Sequence, residues 1–152
     1  MLLAAMPAAF LALSSLKASA GAHEEVGAIV CVTDKWDEKE PEKGHKLVDY
    51  AGRCVKVPDN SAGAKLSEAC LGKYEFLPDG TWKASGTCVA TQKAGDTISS
   101  TWEEGSHLKV NPYTVTSGTG KFQGVSGSGT YQYDQLTETL YGGRYSGTLE
   151  LP

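Results

Sequence analysis

The feature that most restricts the fold is a glycine-rich stretch, GTGKFQGVSGSGTY (residues 118–131), with five glycines in fourteen positions and no proline. Its spacing is reminiscent of a dinucleotide-binding loop, which requires a preceding strand, a following helix and a distant acidic residue for the ribose. Here the alternating segment TYQY follows and no helix begins. The Gly-Lys-Ser/Thr ending of a phosphate-binding loop is also absent. The pattern therefore disfavours nucleotide binding.

The same glycines are well explained by a strongly bent sheet. Glycine within a strand permits bulges and sharp bends, which a barrel of few strands needs in order to close. Gly127 and Gly129 are two positions apart, so they share one face of a strand. Their missing side chains leave room for the aromatic ring of a neighbouring strand or for strong coiling. The stretch is thus predicted to be a hairpin followed by a bent barrel strand.

The rest of the chain gives a repeated β pattern. EVGAIVCVTDKW and HKLVDYAGRCVKV are rich in β-branched residues and indicate strands, the second bulged at Gly52. The charged segment DEKEPEKG between them indicates a solvated loop, and a short helix is plausible only around Ala64–Leu71. Later strands are separated by turn signals such as Pro78-Asp79-Gly80. About eight strands at spacings near ten residues predict an all-β protein, an antiparallel eight-stranded barrel.

The first twenty residues differ from the rest and are predicted to be a signal peptide. They contain no acidic residue, an apolar run from Met1 to Leu13, and a small-x-small ending at Ala18-Ser19-Ala20. The run is too short to span a bilayer, which takes about 20 apolar residues. Lys17 follows the apolar run instead of preceding it, and the alternative is an unusual N-terminal helix. Residues 21–152 are expected to form a single β-barrel domain, periplasmic or secreted.

Charge restricts the partners of this domain. Loss of Lys17 with the leader changes the net charge from −4 to −5. An acidic domain without basic clusters is not expected to bind nucleic acid or to insert into a membrane after the leader is cleaved.

The four cysteines predict one or two disulfides. An even number of cysteines in an exported chain favours disulfides, and no C-x-x-C pair suggests zinc or a redox motif. Three connectivities are open. A link from Cys54 to Cys70 is favoured because the turn-rich segment PDNSAGAKLSEA lies between them. Cys31 would then pair with Cys88, unless Cys88 is a free buried thiol.

Three segments resemble a known superfamily. SGTGKFQGVSGSGTY is similar to the glycine hairpin of the allene oxide cyclase and dirigent proteins, whose pattern is G-T-G-x-F/Y-x-G-x-x-G-x-G/A-T-Y. LPDGTWKASGTC and GDTISSTWEEGS resemble central strands of its short secreted bacterial members of unknown function, so the likeness spans residues 45 to 151. The resemblance implies an eight-stranded antiparallel barrel, broadly lipocalin-like, frequently oligomeric and with an apolar lumen. The plant members steer cyclisation or radical coupling of hydrophobic substrates, but their catalytic residues do not match positions here.

Strand alternation provides the candidate site residues. Glu103 and Glu104 are adjacent, so in a strand they point to opposite faces, and one of them would be internal and a candidate catalytic acid or base. Trp82 and Trp102 could line one lumen, and Arg144 could bind a carboxylate ligand. The candidate ligand-binding residues are Trp82, Trp102, Tyr113, Tyr131, Tyr133 and Arg144. The alternative is that the aromatic residues are core or subunit contacts and that Arg144 is an exposed or salt-bridged strand residue.

These patterns lead to three functional hypotheses. The three histidines have no metal-site spacing, no serine lies in a nucleophile-elbow motif, and no cofactor is indicated. The first hypothesis is an exported barrel that binds a small apolar or aromatic molecule in its lumen, as a homo-oligomer and without established catalysis. The second is a cyclase or isomerase that holds a hydrophobic substrate in a reactive shape. The third is a structural envelope protein.

Overall fold

The computed structural model describes residues 21–60 and 65–152, which form one closed antiparallel barrel. The strands are β1 (Gly21–Glu42), β2 (His45–Pro58), β3 (Leu66–Phe76), β4 (Trp82–Thr91), β5 (Thr97–Gly105), β6 (Asn111–Gly118), β7 (Ser126–Gln135) and β8 (Leu140–Leu151). Each strand pairs with the next in sequence, and β8 pairs with β1. The predicted all-β, eight-stranded antiparallel barrel is therefore confirmed. The predicted leader, residues 1–20, lies outside the described residues.

β1 closes the barrel because it is long enough to pair on both sides. Gly21–Val32 pairs with β8, while Gly27–Glu42 pairs with β2. The register slips at Asp34, which has no partner between the pairs Thr33–Gly52 and Lys35–Ala51. The expected bulge near Gly52 therefore lies on the opposite strand. Such a bulge bends its strand and re-aims the side chains that follow it.

The glycine-rich stretch forms the connection from β6 to β7 and the start of β7. β6 ends at Gly118, a single 3₁₀ turn covers Gly120–Phe122, and β7 begins at Ser126. Gly120 and Gly124 have φ values of +57° and +80°, which L side chains rarely adopt. A hairpin leading into a barrel strand is thus what the chain forms.

Aromatic side chains inside the barrel lie over glycines of neighbouring strands. The Trp102 indole of β5 occupies the space where Cβ atoms of Gly86 and Gly72 would be, on β4 and β3. The Tyr113 ring of β6 lies in the same way over Gly129. An eight-stranded barrel is only just wide enough for its own side chains. These glycines therefore let large rings fit inside it.

Two disulfides cross-link neighbouring strands in the lumen, but their pairing differs from the one favoured by the sequence. Cys31 bonds Cys54 between β1 and β2, and Cys70 bonds Cys88 between β3 and β4. The expected links, Cys54 to Cys70 and Cys31 to Cys88, are wrong. Each bonded pair sits directly opposite in register, whereas Cys54 faces Glu68. Strand register, and not the turn-rich segment between Cys54 and Cys70, decides the connectivity.

Two local predictions are also corrected. Leu66–Leu71 belongs to β3 instead of a short helix, with Leu66, Glu68 and Cys70 buried and the residues between them exposed. Glu68 on the inner face hid this alternation. The charged segment 37–44 is not mainly loop, because residues up to Glu42 extend β1 and pair with β2. In the described residues, no helix is long and apolar enough to cross a membrane.

Gly86→Ala should destabilise the barrel by about 2 kcal/mol or more, because its Cβ would lie 2.5 Å from Trp102 Cζ2 and would also collide with the backbone oxygen of Leu71. The measurement is urea unfolding of the oxidised protein. Gly142→Ala is the matched control, since its nearest neighbours lie at 3.6 Å and its effect should stay within about 0.5 kcal/mol. Equal stability of the two variants would contradict the proposed packing.

Candidate functional site: an aromatic cup over a buried glutamate

One mouth of the barrel is an open cup of about 580 Å³. It lies at the end where the β1–β2, β3–β4 and β7–β8 hairpins turn. Most of its wall is aromatic, and Glu104 contributes to its lining. The lining residues are Thr33, Trp36, Tyr50, Tyr74, Phe76, Trp82, Glu104, Tyr133, Gln135, Glu138, Thr139 and Tyr141. The centre of the lumen holds a cavity of only about 50 Å³. The barrel is therefore nearly filled at its centre and hollow at this mouth.

Four rings form one continuous side of the cup. Tyr74 stacks against Trp82 and Phe76, with ring centroids 6.0 and 6.2 Å apart, and Trp36 lies 5.0 Å from Tyr74. Tyr74 and Phe76 are two residues apart on β3, so they share its inner face. Trp36 follows the Asp34 bulge on β1 and remains 44% exposed at the rim. The rings give a small molecule a preformed apolar surface.

Glu104 is a buried carboxylate held by three phenols. The residue is only 4% exposed. The Tyr131 hydroxyl donates to Oε1 at 2.7 Å, and the hydroxyls of Tyr133 and Tyr74 donate to Oε2 at 2.6 and 3.2 Å. Burying an ionised carboxylate is costly unless its oxygens receive hydrogen bonds, and these O–H groups supply them. No ion pair to Glu104 occurs in the part of the chain that the structure describes.

The phenols around Glu104 resist ionisation. Burial raises the pKa of Tyr74, Tyr131 and Tyr133 well above the ordinary value, and the negative charge of Glu104 raises each pKa further. They remain neutral hydrogen-bond donors at physiological pH. With three donors already on its oxygens, Glu104 is better suited to electrostatic stabilisation than to proton abstraction, which would break these hydrogen bonds.

The opposite end of the lumen contains a second buried glutamate with a protein cation beside it. Lys56 Nζ lies 2.9 Å from Glu68 Oε1, and the two side chains are 13% and 5% exposed. The ammonium lies 4.7 Å from the centre of the Tyr113 ring and 5.2 Å from that of Tyr145. This end therefore carries its own charge compensation.

A possible metal cluster at the disulfides lacks the right chemistry. One ligand atom each from Cys54, Glu68 and Cys70 lies within 4.8 Å of the others. Both cysteines are in disulfides, so neither offers the thiolate that binds metals.

The sequence-predicted residues fall into different places. Trp82 and Tyr133 line the cup, Tyr131 binds Glu104, and Trp102 lies beneath the cup in the core. Tyr113 lies at the opposite end beside Lys56.

Two candidates face outwards. Glu103 is exposed on the outer face of β5. Arg144 forms a two-pronged ion pair with Asp59 on the exterior, so it does not reach the lumen. Its side chain is more than half exposed.

Sequence reasoning missed five of the seven aromatic residues that line the cup. Trp36, Tyr50, Tyr74, Phe76 and Tyr141 were not among the candidates, although all of them line it. The alternation of Tyr74 and Phe76 in KYEF could have identified two of them. Trp36 sits within charged residues and becomes part of the cup only because β1 continues past its bulge.

Comparisons with known proteins support the fold. No protein-family model and no curated protein matches the sequence. Two solved structures of pterocarpan synthase dirigent proteins match the structure. One, GePTS1, has a TM-score of 0.54 and 11% identity over 87% of this chain and 92% of its own. The other, PsPTS1, has a TM-score of 0.56 and 10% identity over 86% and 96%. The chain thus has the dirigent-type barrel fold that the glycine hairpin predicted, and such low identity speaks to the fold alone.

Alkaline pH should destabilise the protein through the buried phenols. An unfolded tyrosine ionises near pH 10, whereas the pKa of Tyr133 is raised in the folded state, so its contribution is full below about pH 10 and is lost as the pH rises further. In Tyr133→Phe, the decline of the unfolding free energy above that pH should be shallower by about 1.4 kcal/mol per pH unit.

The measurement is urea unfolding at a series of alkaline pH values. Val89→Ala, an outer-face substitution without a titrating group, should keep the wild-type slope. An unchanged slope in Tyr133→Phe would show that this phenol does not resist ionisation as proposed.

Proposed function

We propose that the protein binds a small aromatic or apolar molecule in the cup at one mouth of its barrel. The observation that carries this proposal is the contrast between an aromatic cup of about 580 Å³ and a central cavity of about 50 Å³. Sites for small molecules typically measure about 300–1,000 Å³ and combine apolar walls with a few polar groups. The cup meets both conditions, while the centre of the lumen is too small. We therefore propose that the ligand binds at the mouth of the barrel, whereas the sequence suggested the lumen.

Trp82→Ala should weaken binding of a neutral aromatic probe, a naphthol, by about tenfold, since it removes one of the stacked rings that form the wall. Isothermal titration calorimetry gives the affinity. Leu71→Ala is the matched control, because Leu71 is 63% exposed on the outer face and its loss should leave the affinity unchanged. If naphthol binds both variants as well as it binds the wild type, the cup is not its site.

An enzymatic role is the second candidate. The two matched structures are those of pterocarpan synthase dirigent proteins, and a substrate in the cup would lie beside the buried Glu104 carboxylate. A charge fixed by three phenols could stabilise positive charge that develops during a cyclisation or isomerisation. A ligand recovered chemically unchanged after long incubation with the protein would favour binding, and its conversion would favour the enzyme.

We further propose that the protein is exported and self-associates. All four cysteines are in disulfides, which persist in oxidising compartments. The closed barrel offers no free sheet edge, so copies would associate through outer faces. Val30 and Val55 are opposite each other on β1 and β2 and are 46% and 50% exposed. Apolar side chains exposed next to each other favour contact with another protein surface.

Native and intact mass spectrometry of the protein from its own cells tests these proposals. We expect a chain that begins at Gly21, with four hydrogens fewer than the reduced form, assembled as an oligomer that carries a small molecule. A chain that keeps residues 1–20 and free thiols would contradict export. A monomer at working concentration would contradict self-association.

A further inference from the structure

The charge of the cup has one sign. Two carboxylates, Glu104 and Glu138, belong to its lining, and no lysine, arginine or histidine is among the described residues that line it. Glu138 lies in the exposed β7–β8 turn, whereas Glu104 is buried beside the lumen. A low-dielectric wall strengthens the field of a buried charge, so the cup favours positive ligands and disfavours anions.

The two buried glutamates of the barrel differ in their counter-charge. Glu68 has Lys56 at 2.9 Å. Glu104 receives only neutral phenol hydroxyls and forms no ion pair with any described residue. Buried charges in proteins are normally paired or bound to a metal. Among the described residues, Glu68 thus has a cation as its partner and Glu104 has none.

The walls of the cup also suit a cation. The faces of aromatic rings carry negative charge and attract ammonium groups, with tryptophan the most effective. Trp36, Trp82, Tyr74 and Tyr133 all contribute to the cup. The hydroxyls of both tyrosines donate to Glu104, and this polarises their rings towards greater electron density.

The hydrogen-bonding capacity of Glu104 argues against a bare metal ion. A carboxylate offers about four lone-pair positions, and three O–H groups already occupy positions here. Hard metal ions require six or more oxygen ligands. An apolar cup with one remaining acceptor position suits a weakly hydrated organic cation better.

We infer that the ligand of the cup is an organic cation, an ammonium group carried on an aromatic or apolar body. This inference rests on the proposed binding function and names the class of molecule that the cup takes. The apolar body contacts the rings of the wall, while the ammonium lies towards Glu104 and supplies its missing counter-charge. A neutral molecule of equal shape would contact the rings in the same way but would not compensate the charge of Glu104.

The test compares two probes of nearly equal shape, benzyltrimethylammonium and its neutral isostere neopentylbenzene. Wild-type protein should bind the cation at least tenfold more tightly, measured by competition against naphthol. Glu104→Gln should abolish this preference, because it removes the negative charge beside the cup. Glu103→Gln is the matched control, since it removes the same charge from the outer face one residue away and should leave the preference intact.

The outcomes separate the two proposals. Equal binding of both probes by wild-type protein, or tighter binding of the neutral one, would overturn the cation assignment and leave the binding function standing. Failure of naphthol and both probes to bind would overturn the binding function itself. Because the wild-type comparison needs no substitution, it remains decisive even if Glu104→Gln does not fold.

Discussion

The structure depends on fitting large aromatic rings inside a barrel of only eight strands. Trp102 and Tyr113 occupy the inner face where neighbouring strands carry glycine, so ring and backbone come into direct contact. A methyl group at Gly86 would collide with both the indole and a backbone oxygen. A protein interior is close-packed and cannot absorb such a change without moving backbone. The glycines on the inner face thus act as packing positions for the rings.

This packing determines where a ligand can bind. Trp102 and the two disulfides fill the middle of the lumen and leave a cavity of about 50 Å³ there. Nearer the mouth, the β1 bulge at Asp34 brings Trp36 to the rim. The bottom of the cup is therefore formed by closely packed side chains and is rigid. A rigid floor favours a preformed site, which avoids the cost of ordering side chains on binding.

Much of the fold could be predicted from the sequence, because turn signals and alternation are local properties. The eight strands and the glycine hairpin could be predicted from such local signals. The disulfide pairing depended instead on register between strands, and Cys54 and Cys70 are offset there by two positions. Glu68 lies on the inner face of β3 and interrupts the apolar alternation there. Its charge is compensated by Lys56, a tertiary contact that the sequence of β3 does not reveal.

The candidate site was predicted less completely than the fold. Alternation put Glu103 and Glu104 on opposite faces, but only the register decides which one is buried. Trp82 and Tyr133 were identified as aromatic residues of C-terminal strands, whereas Trp36 was hidden by its charged neighbours. Arg144 was a candidate because its positive charge could bind a carboxylate ligand. Its actual partner, Asp59, lies 85 residues away in sequence. Contacts of such long range carry no local signal.

The two ends of the lumen show why function should be assigned to one of them. Both ends bury a glutamate, and both place tyrosines around it. At the Lys56 end an ammonium lies over two tyrosine rings and beside a carboxylate, so a cation, a carboxylate and aromatic faces form a complete set. At the Glu104 end the carboxylate and the aromatic faces are present, and the barrel is open there. The barrel thus displays, with its own lysine, the arrangement that an organic cation would complete in the cup.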